Sequence, residues 1–138
     1  MAKSALTDNH ALAIGARALA VGAATAVVVA SLGPSDWLPR LLYSNNLEHF
    51  AAFYILALAF YAARYRKPTI RVLIDTALLA SALEAAKWIL PGPRKANFDH
   101  WMADLGGILA MGAPLLVSAF RKSFAAVHAH GRYGRGAV

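Results

Sequence analysis

Residues 18–33 read ALAVGAATAVVVASLG, and this stretch contains no charged side chain. It belongs to an apolar run over 11–33 that only Arg17 interrupts. Three further apolar runs follow, over 47–63, 70–90 and 101–120. Each run is close to the length of about 20 residues that a helix needs to cross a bilayer. The sequence therefore predicts an all-α, integral membrane bundle of four transmembrane helices.

The composition excludes most other classes of protein. Of the 138 residues, 59% are hydrophobic and 15% are charged, whereas soluble domains average about 45–50% and about 25%. A disordered chain is excluded because such chains are poor in apolar residues. The absence of cysteine excludes a disulfide framework, a thiolate metal site and a cysteine nucleophile. We expect one transmembrane domain over 1–122, followed by a flexible basic tail over 123–138.

The distribution of Lys and Arg predicts the orientation of the bundle. Ten basic residues fall on the side of the two termini: Lys3, Arg17, Arg64, Arg66, Lys67, Arg71, Arg121, Lys122, Arg132 and Arg135. Only Arg40, Arg94 and Lys95 fall in the opposite loops. Basic residues favour the cytoplasmic side, so we expect both termini in the cytoplasm. This bias accounts for the net charge of +7 without a nucleic-acid partner, for which the sequence has no motif.

The first apolar run carries a stripe of small residues at every fourth position. The stripe consists of Ala18, Gly22, Ala26 and Ala30. Small residues let a neighbouring helix approach closely in lipid, so this face is a candidate docking surface for a membrane-protein partner. A removable signal peptide is the alternative interpretation of a basic segment followed by an apolar run.

Ionisable residues concentrate at one end of the predicted bundle. The start of the second span, the end of the third and the start of the fourth all lie at the external face. These places and the loop between the last two hold Glu48, His49, Glu84, Lys87, Arg94, Lys95, Asp99, His100 and Asp104. Charged groups inside a membrane need partners. We therefore expect a polar pocket that opens to the outside.

Each of these residues has a candidate role. Glu84, Asp104 and Asp99 are candidate catalytic acid/base groups, and the other six are candidate binding residues. Glu84 and Lys87 are three residues apart on one helix face, and His100 and Asp104 are four apart, so either pair can interact. The alternatives are that Glu48 and Asp99 belong to helix caps, and that Glu84 and Asp104 form structural salt bridges. On the cytoplasmic side, Asp75 either snorkels or pairs with Arg71 at the i,i+4 spacing.

The histidines also raise the question of a metal. His49 and His100 could ligate a haem iron from two helices, and together with Glu48 and Asp99 they could bind zinc. Neither arrangement has a specific spacing signal in the sequence. We therefore predict no metal and no cofactor.

The order of motifs resembles that of the VanZ-like family of small bacterial membrane proteins. The second run begins with Glu48-His49-Phe50, with Tyr54 following, and the third run has Glu84 near its end. Departures from the family pattern are Lys87 in place of a Gln, Pro93 inserted before Arg94, and Asp104 where Asn is usual. Gly107 and Gly112 follow as in the family, while either Asp99 or His100 fills its acidic position.

The resemblance implies a multi-pass inner-membrane protein of the bacterial cell envelope. The name-giving member of the family is associated with low-level resistance to the glycopeptide teicoplanin, but the resemblance supplies no reaction. Our first hypothesis is that the chain binds or processes an anionic, lipid-linked envelope precursor, with Arg94 and Lys95 contacting the head group. The alternative is a non-catalytic accessory subunit of a larger membrane complex. The sequence leaves open whether the protein is an enzyme.

Overall fold

The chain forms a bundle of four α-helices. The structure is a computed structural model that describes the backbone of residues 2–34, 42–92 and 95–133 and the side chains of residues 10–34, 42–92 and 95–122. The helices are α1 (Ala2–Leu32), α2 (Asn45–Ala63), α3 (Thr69–Ile89) and α4 (Phe98–Tyr133). The prediction of an all-α chain with four helices is confirmed.

The starts of α2 and α4 and both ends of α3 lie where the local sequence favours them. The carbonyl of Ser44 accepts the N–H groups of Leu47 and Glu48 in the first turn of α2. Pro68 precedes α3, where a missing N–H costs nothing, and Pro91 follows it. The side-chain oxygen of Asn97 accepts the N–H of Asp99 at 2.9 Å at the start of α4. This is the bond by which an N-cap residue stabilises a helix start.

The first and last helices, α1 and α4, are longer than the apolar runs within them. The first begins at Ala2, well before the apolar run over 11–33. The last ends at Tyr133, so the backbone is helical over 123–133, where we expected the start of a flexible tail. Apolar length locates a candidate membrane span, but it does not limit the helix, which continues here through less apolar residues at both ends.

Two glycines of α4 leave room for the neighbouring helices. A Cβ atom at Gly107 would lie 3.0 Å from the amide nitrogen of Tyr54 in α2, and closer still to the carbonyl oxygen of Phe50. A Cβ atom at Gly112 would meet the side chain of Leu73 in α3. Small residues allow such close approach of helix backbones, and the contact between α2 and α4 is the most extensive in the bundle.

The bundle has a narrow core and an apolar exterior. The core is formed by Val27, Phe53, Leu56, Ala57, Leu73, Ala80, Leu83, Ile108 and Met111. Large apolar side chains also point outwards: Leu12 is 72% exposed, Leu78 63% and Leu109 61%. A soluble protein rarely exposes so much contiguous apolar surface, whereas a lipid-facing surface consists of it.

Three of the described helices are long and apolar enough to cross a membrane. The candidate spans are His10–Leu32, Asn45–Ala63 and Phe98–Lys122. The helix α3 is not among them, because it carries Arg71, Asp75, Glu84 and Lys87. The chain thus contains the helices of a multi-pass membrane protein.

We expect Gly107→Ala to destabilise the bundle by about 1–3 kcal/mol, because the added methyl group must push the α2 backbone away. The free energy of unfolding in mixed detergent micelles measures this effect. Gly22→Ala is the matched control, since nothing lies within 4 Å of a Cβ atom there. This variant should be as stable as the original chain or gain up to about 1 kcal/mol from helix propensity. Equal stability of the two variants would contradict the close contact.

Candidate functional site

Three helix ends meet at one end of the bundle and carry most of the predicted site residues. They are the start of α2, the end of α3 and the start of α4. Six side chains there are joined by hydrogen bonds, ion pairs or ring stacking, and we call them the polar cluster: Asn45, His49, Glu84, Lys87, His100 and Asp104. The predicted convergence of ionisable groups from three segments is therefore present in the structure.

The centre of the polar cluster is a bond between α2 and α4. The Nδ1 atom of His49 lies 2.8 Å from Oδ1 of Asp104, and their side chains are only 12% and 3% exposed. The donor is the imidazole N–H, because a carboxylate has no proton to give. Asp104 lies one turn before Gly107, and His49 precedes Phe50. The close helix contact at Gly107 therefore also brings this pair together.

The second histidine packs against the first. The rings of His49 and His100 are stacked, with centroids 4.5 Å apart and planes 13° apart. The side-chain nitrogen Nδ2 of Asn45 donates to Nε2 of His100 at 2.7 Å. Helical spacing predicts His100 as the partner of Asp104, but His49 takes that place. Asn45 is a site residue that the sequence analysis missed, because an Asn three residues before Glu48 is equally typical of a helix cap.

Glu84, the acidic residue near the end of α3, is paired within its own helix. The Nζ atom of Lys87 lies 2.7 Å from Oε2 of Glu84, with side chains 4% and 10% exposed. The other carboxylate oxygen accepts the backbone N–H of Asn97, in the segment that leads into α4. The predicted i,i+3 pair is confirmed. Glu84 also fastens the α3–α4 connection, a role that helical spacing could not reveal.

The His49–Asp104 pair and the Glu84–Lys87 pair belong to one electrostatic unit. His100 lies within Coulombic range of Lys87, Glu84 and Asp104. The indole N–H of Trp101 donates to the hydroxyl of Ser81 at 3.1 Å, which joins α3 to α4 beside the cluster. At an apolar site with a low dielectric, such charges interact more strongly than they would in water.

The remaining predicted residues lie around the cluster. Glu48 accepts the backbone N–H of Leu42 at 2.8 Å and so holds the segment before α2. Asp99 is exposed in the first turn of α4, where a negative charge favours the helix dipole. Lys95 is exposed, and Arg94 lies outside the described residues. The structure thus places Glu48 and Asp99 at helix starts, with the buried groups beneath them.

The acidic residue at the other end of the bundle has two basic partners. Asp75 is 3.3 Å from Nε of Arg71 in the predicted i,i+4 pair. It is also 2.5 Å from Arg64 at the end of α2. The first pair is confirmed. The second was not foreseen because it joins two helices.

Two ring nitrogens of the polar cluster have no hydrogen bond to a described residue, Nδ1 of His100 and Nε2 of His49. Nδ1 of His100 holds the ring proton, because Nε2 of that ring accepts from Asn45, so Nε2 of His49 is the one with a lone pair. Among the described residues, no group hydrogen bonds to Nε2 of His49, and every fully buried side-chain nitrogen or oxygen has a partner. Nε2 is therefore accessible from outside. An imidazole that donates from Nδ1 to a carboxylate carries a lone pair on Nε2, which can accept a proton or a hydrogen bond.

The described residues contain no group of three or more His, Asp or Glu side chains that could hold a metal ion. Comparison with known proteins gives no further guidance, because no family model, curated protein or solved structure matches the chain. The function has to be argued from the side chains themselves.

We expect Lys87→Met to cost about 3–5 kcal/mol of stability, because it leaves a buried carboxylate without its cation. Changing both partners, in Glu84→Gln/Lys87→Met, should restore most of the loss, since no buried charge then remains. Arg71→Met is the control. It should cost less than about 1 kcal/mol, because the pair with Asp75 is exposed and Arg64 still holds the carboxylate. Unfolding in detergent measures all three, and equal losses for Lys87→Met and Arg71→Met would contradict a buried pair.

Proposed function

We propose that the chain is a VanZ-like, four-span protein of the bacterial inner membrane, with both termini in the cytoplasm. The motif residues of the VanZ-like resemblance support this proposal, as does the excess of Lys and Arg on the side of the termini. The fourth span is α3. Its charges form neutral pairs near its two ends, and the stretch between them contributes the buried Ala80 and Leu83 to the core.

The polar cluster of this protein binds or processes an anionic, lipid-linked envelope precursor. The observation that carries this proposal is the buried bond between His49 and Asp104, which leaves Nε2 of His49 accessible. A hydroxyl, a water or a protonated phosphate of the ligand donates its proton to that nitrogen. The amphiphilic nature of the ligand follows from the setting, because the site lies at the end of an apolar bundle.

The other residues have complementary roles in this proposal. Lys95, which is exposed, binds the anionic head group together with Arg94. Glu84, which is paired with Lys87, and Asp99 interact with the polar part of the precursor or assist proton transfer. His100, stacked on His49, fixes the plane of the reacting imidazole.

A second candidate function is that of an accessory subunit in a larger membrane complex. Ala18, Gly22 and Ala26 are exposed, and nothing within 4 Å would meet a Cβ atom at Gly22. In the described part of the bundle the first three residues of the stripe are therefore open to a helix of another protein, whereas Ala30 is half-buried. On this interpretation the polar cluster stabilises the subunit and binds no precursor.

A binding measurement with the purified chain tests the first proposal. Native mass spectrometry of the chain in mild detergent should show tighter binding of a polyprenyl phosphate than of the uncharged polyprenol. His49→Gln and Asp104→Asn should each weaken binding about tenfold or more, since a hydrogen bond to a charged group contributes about 1.5–3 kcal/mol. Asp75→Asn is the control, because it makes the same change at the other end of the bundle.

Equal binding of the phosphate and the alcohol would contradict the proposal, as would full binding by His49→Gln. The same spectra report the mass of the assembly. A foreign subunit bound in fixed ratio, together with absent phosphate binding, would favour the accessory role.

A further inference from the structure

A cavity of about 890 Å³ lies between α1 and α2, at the end opposite the polar cluster. Its walls include the apolar side chains of Ile14, Val21 and Phe60. Arg17, Arg66 and Lys67 line its outer end. The cavity therefore combines an apolar wall with a basic end, and no part of the proposed function uses it.

The basic end of the cavity has an excess of positive charge. Among the residues whose side chains the structure describes, no carboxylate forms an ion pair with Arg17, Arg66 or Lys67. Asp75, the nearby acid, is already paired with two other arginines. Arg66 only lies over the ring of Tyr65, with 5.4 Å between its guanidinium carbon and the ring centroid. Three cations are thus available to an anionic ligand.

We propose that this cavity is a binding site for an anionic phospholipid. Charge complementarity places the phosphate at Arg17, Arg66 and Lys67. The acyl chains lie along the apolar wall formed by α1 and α2. A small soluble anion would use the cations but would leave this wall without a partner, which favours a lipid as the occupant. Val21 is 67% exposed and lies where the acyl chains pass.

The location in the membrane agrees with this occupant. This agreement rests on the proposed topology, in which the end of α2 lies on the cytoplasmic side, where the leaflet is enriched in anionic lipids. The site is also separate from the polar cluster, because α2 has 19 residues and is about 28 Å long. A variant that loses ligand binding at one site can therefore still be tested for binding at the other.

Native mass spectrometry of the full chain with added phosphatidylglycerol or phosphatidylcholine tests the proposal. The chain should bind phosphatidylglycerol more tightly, and Arg17→Gln/Lys67→Gln should reduce this preference about tenfold or more, because each basic residue near the surface contributes to anionic lipid binding. Arg121→Gln/Lys122→Gln is the matched control. It removes the same charge from an exposed part of α4 outside the cavity, so it should reduce the preference clearly less, by the general attraction of basic residues for anionic lipids alone.

Two further experiments distinguish a specific lipid site from a general attraction between opposite charges. Val21→Trp should weaken phosphatidylglycerol binding without removing any charge, because the indole occupies the acyl-chain wall. Inorganic phosphate at the lipid concentration should not displace the lipid. Equal losses in the two double variants, full binding by Val21→Trp, or displacement by inorganic phosphate would each overturn the proposal.

Discussion

The close approach of α2 and α4 at Gly107 is the contact on which the rest of the structure depends. Without a side chain at this position, the α2 backbone at Phe50 and Tyr54 reaches the α4 backbone. One turn away, the same approach brings His49 within 2.8 Å of Asp104. A packing feature of the bundle thus sets the geometry of a buried polar bond between two helices. Packing and site are therefore not separable in this chain.

The buried charges are tolerated because each has a partner. Glu84 has Lys87 and a backbone N–H, and Asp104 has an imidazole. Removing one member of such a pair is costlier than removing both, because a lone buried charge loses its solvation without compensation. Among the described residues, the buried charges lie towards one end of the bundle and Asp75 with its arginine partners towards the other. The two proposed binding sites lie at those ends.

Sequence patterns predicted the features that depend on a single helix. Helix number followed from hydropathy, and the pairs Glu84–Lys87 and Arg71–Asp75 followed from spacing along a helix. Contacts between helices were beyond this reasoning. Asn45 with His100 and His49 with Asp104 are each separated by 55 residues, and their pairing depends on how α2 and α4 are rotated about their axes. Hydropathy also missed the polar extensions of α1 and α4, which are helical without being apolar.

The bond between His49 and Asp104 is the most direct point at which to test this account. Solid-state NMR of the chain in lipid bilayers, with ¹⁵N-labelled histidine and ¹³C-labelled aspartate side chains, measures the dipolar coupling between Nδ1 of His49 and the carboxyl carbon of Asp104. We expect a measurable through-space coupling, of the size set by a carboxyl carbon one bond beyond an oxygen that lies 2.8 Å from the nitrogen. It should disappear in Asp104→Asn spectra, which assign it. A folded chain with no such coupling would contradict the convergence of α2 and α4 on a shared polar site.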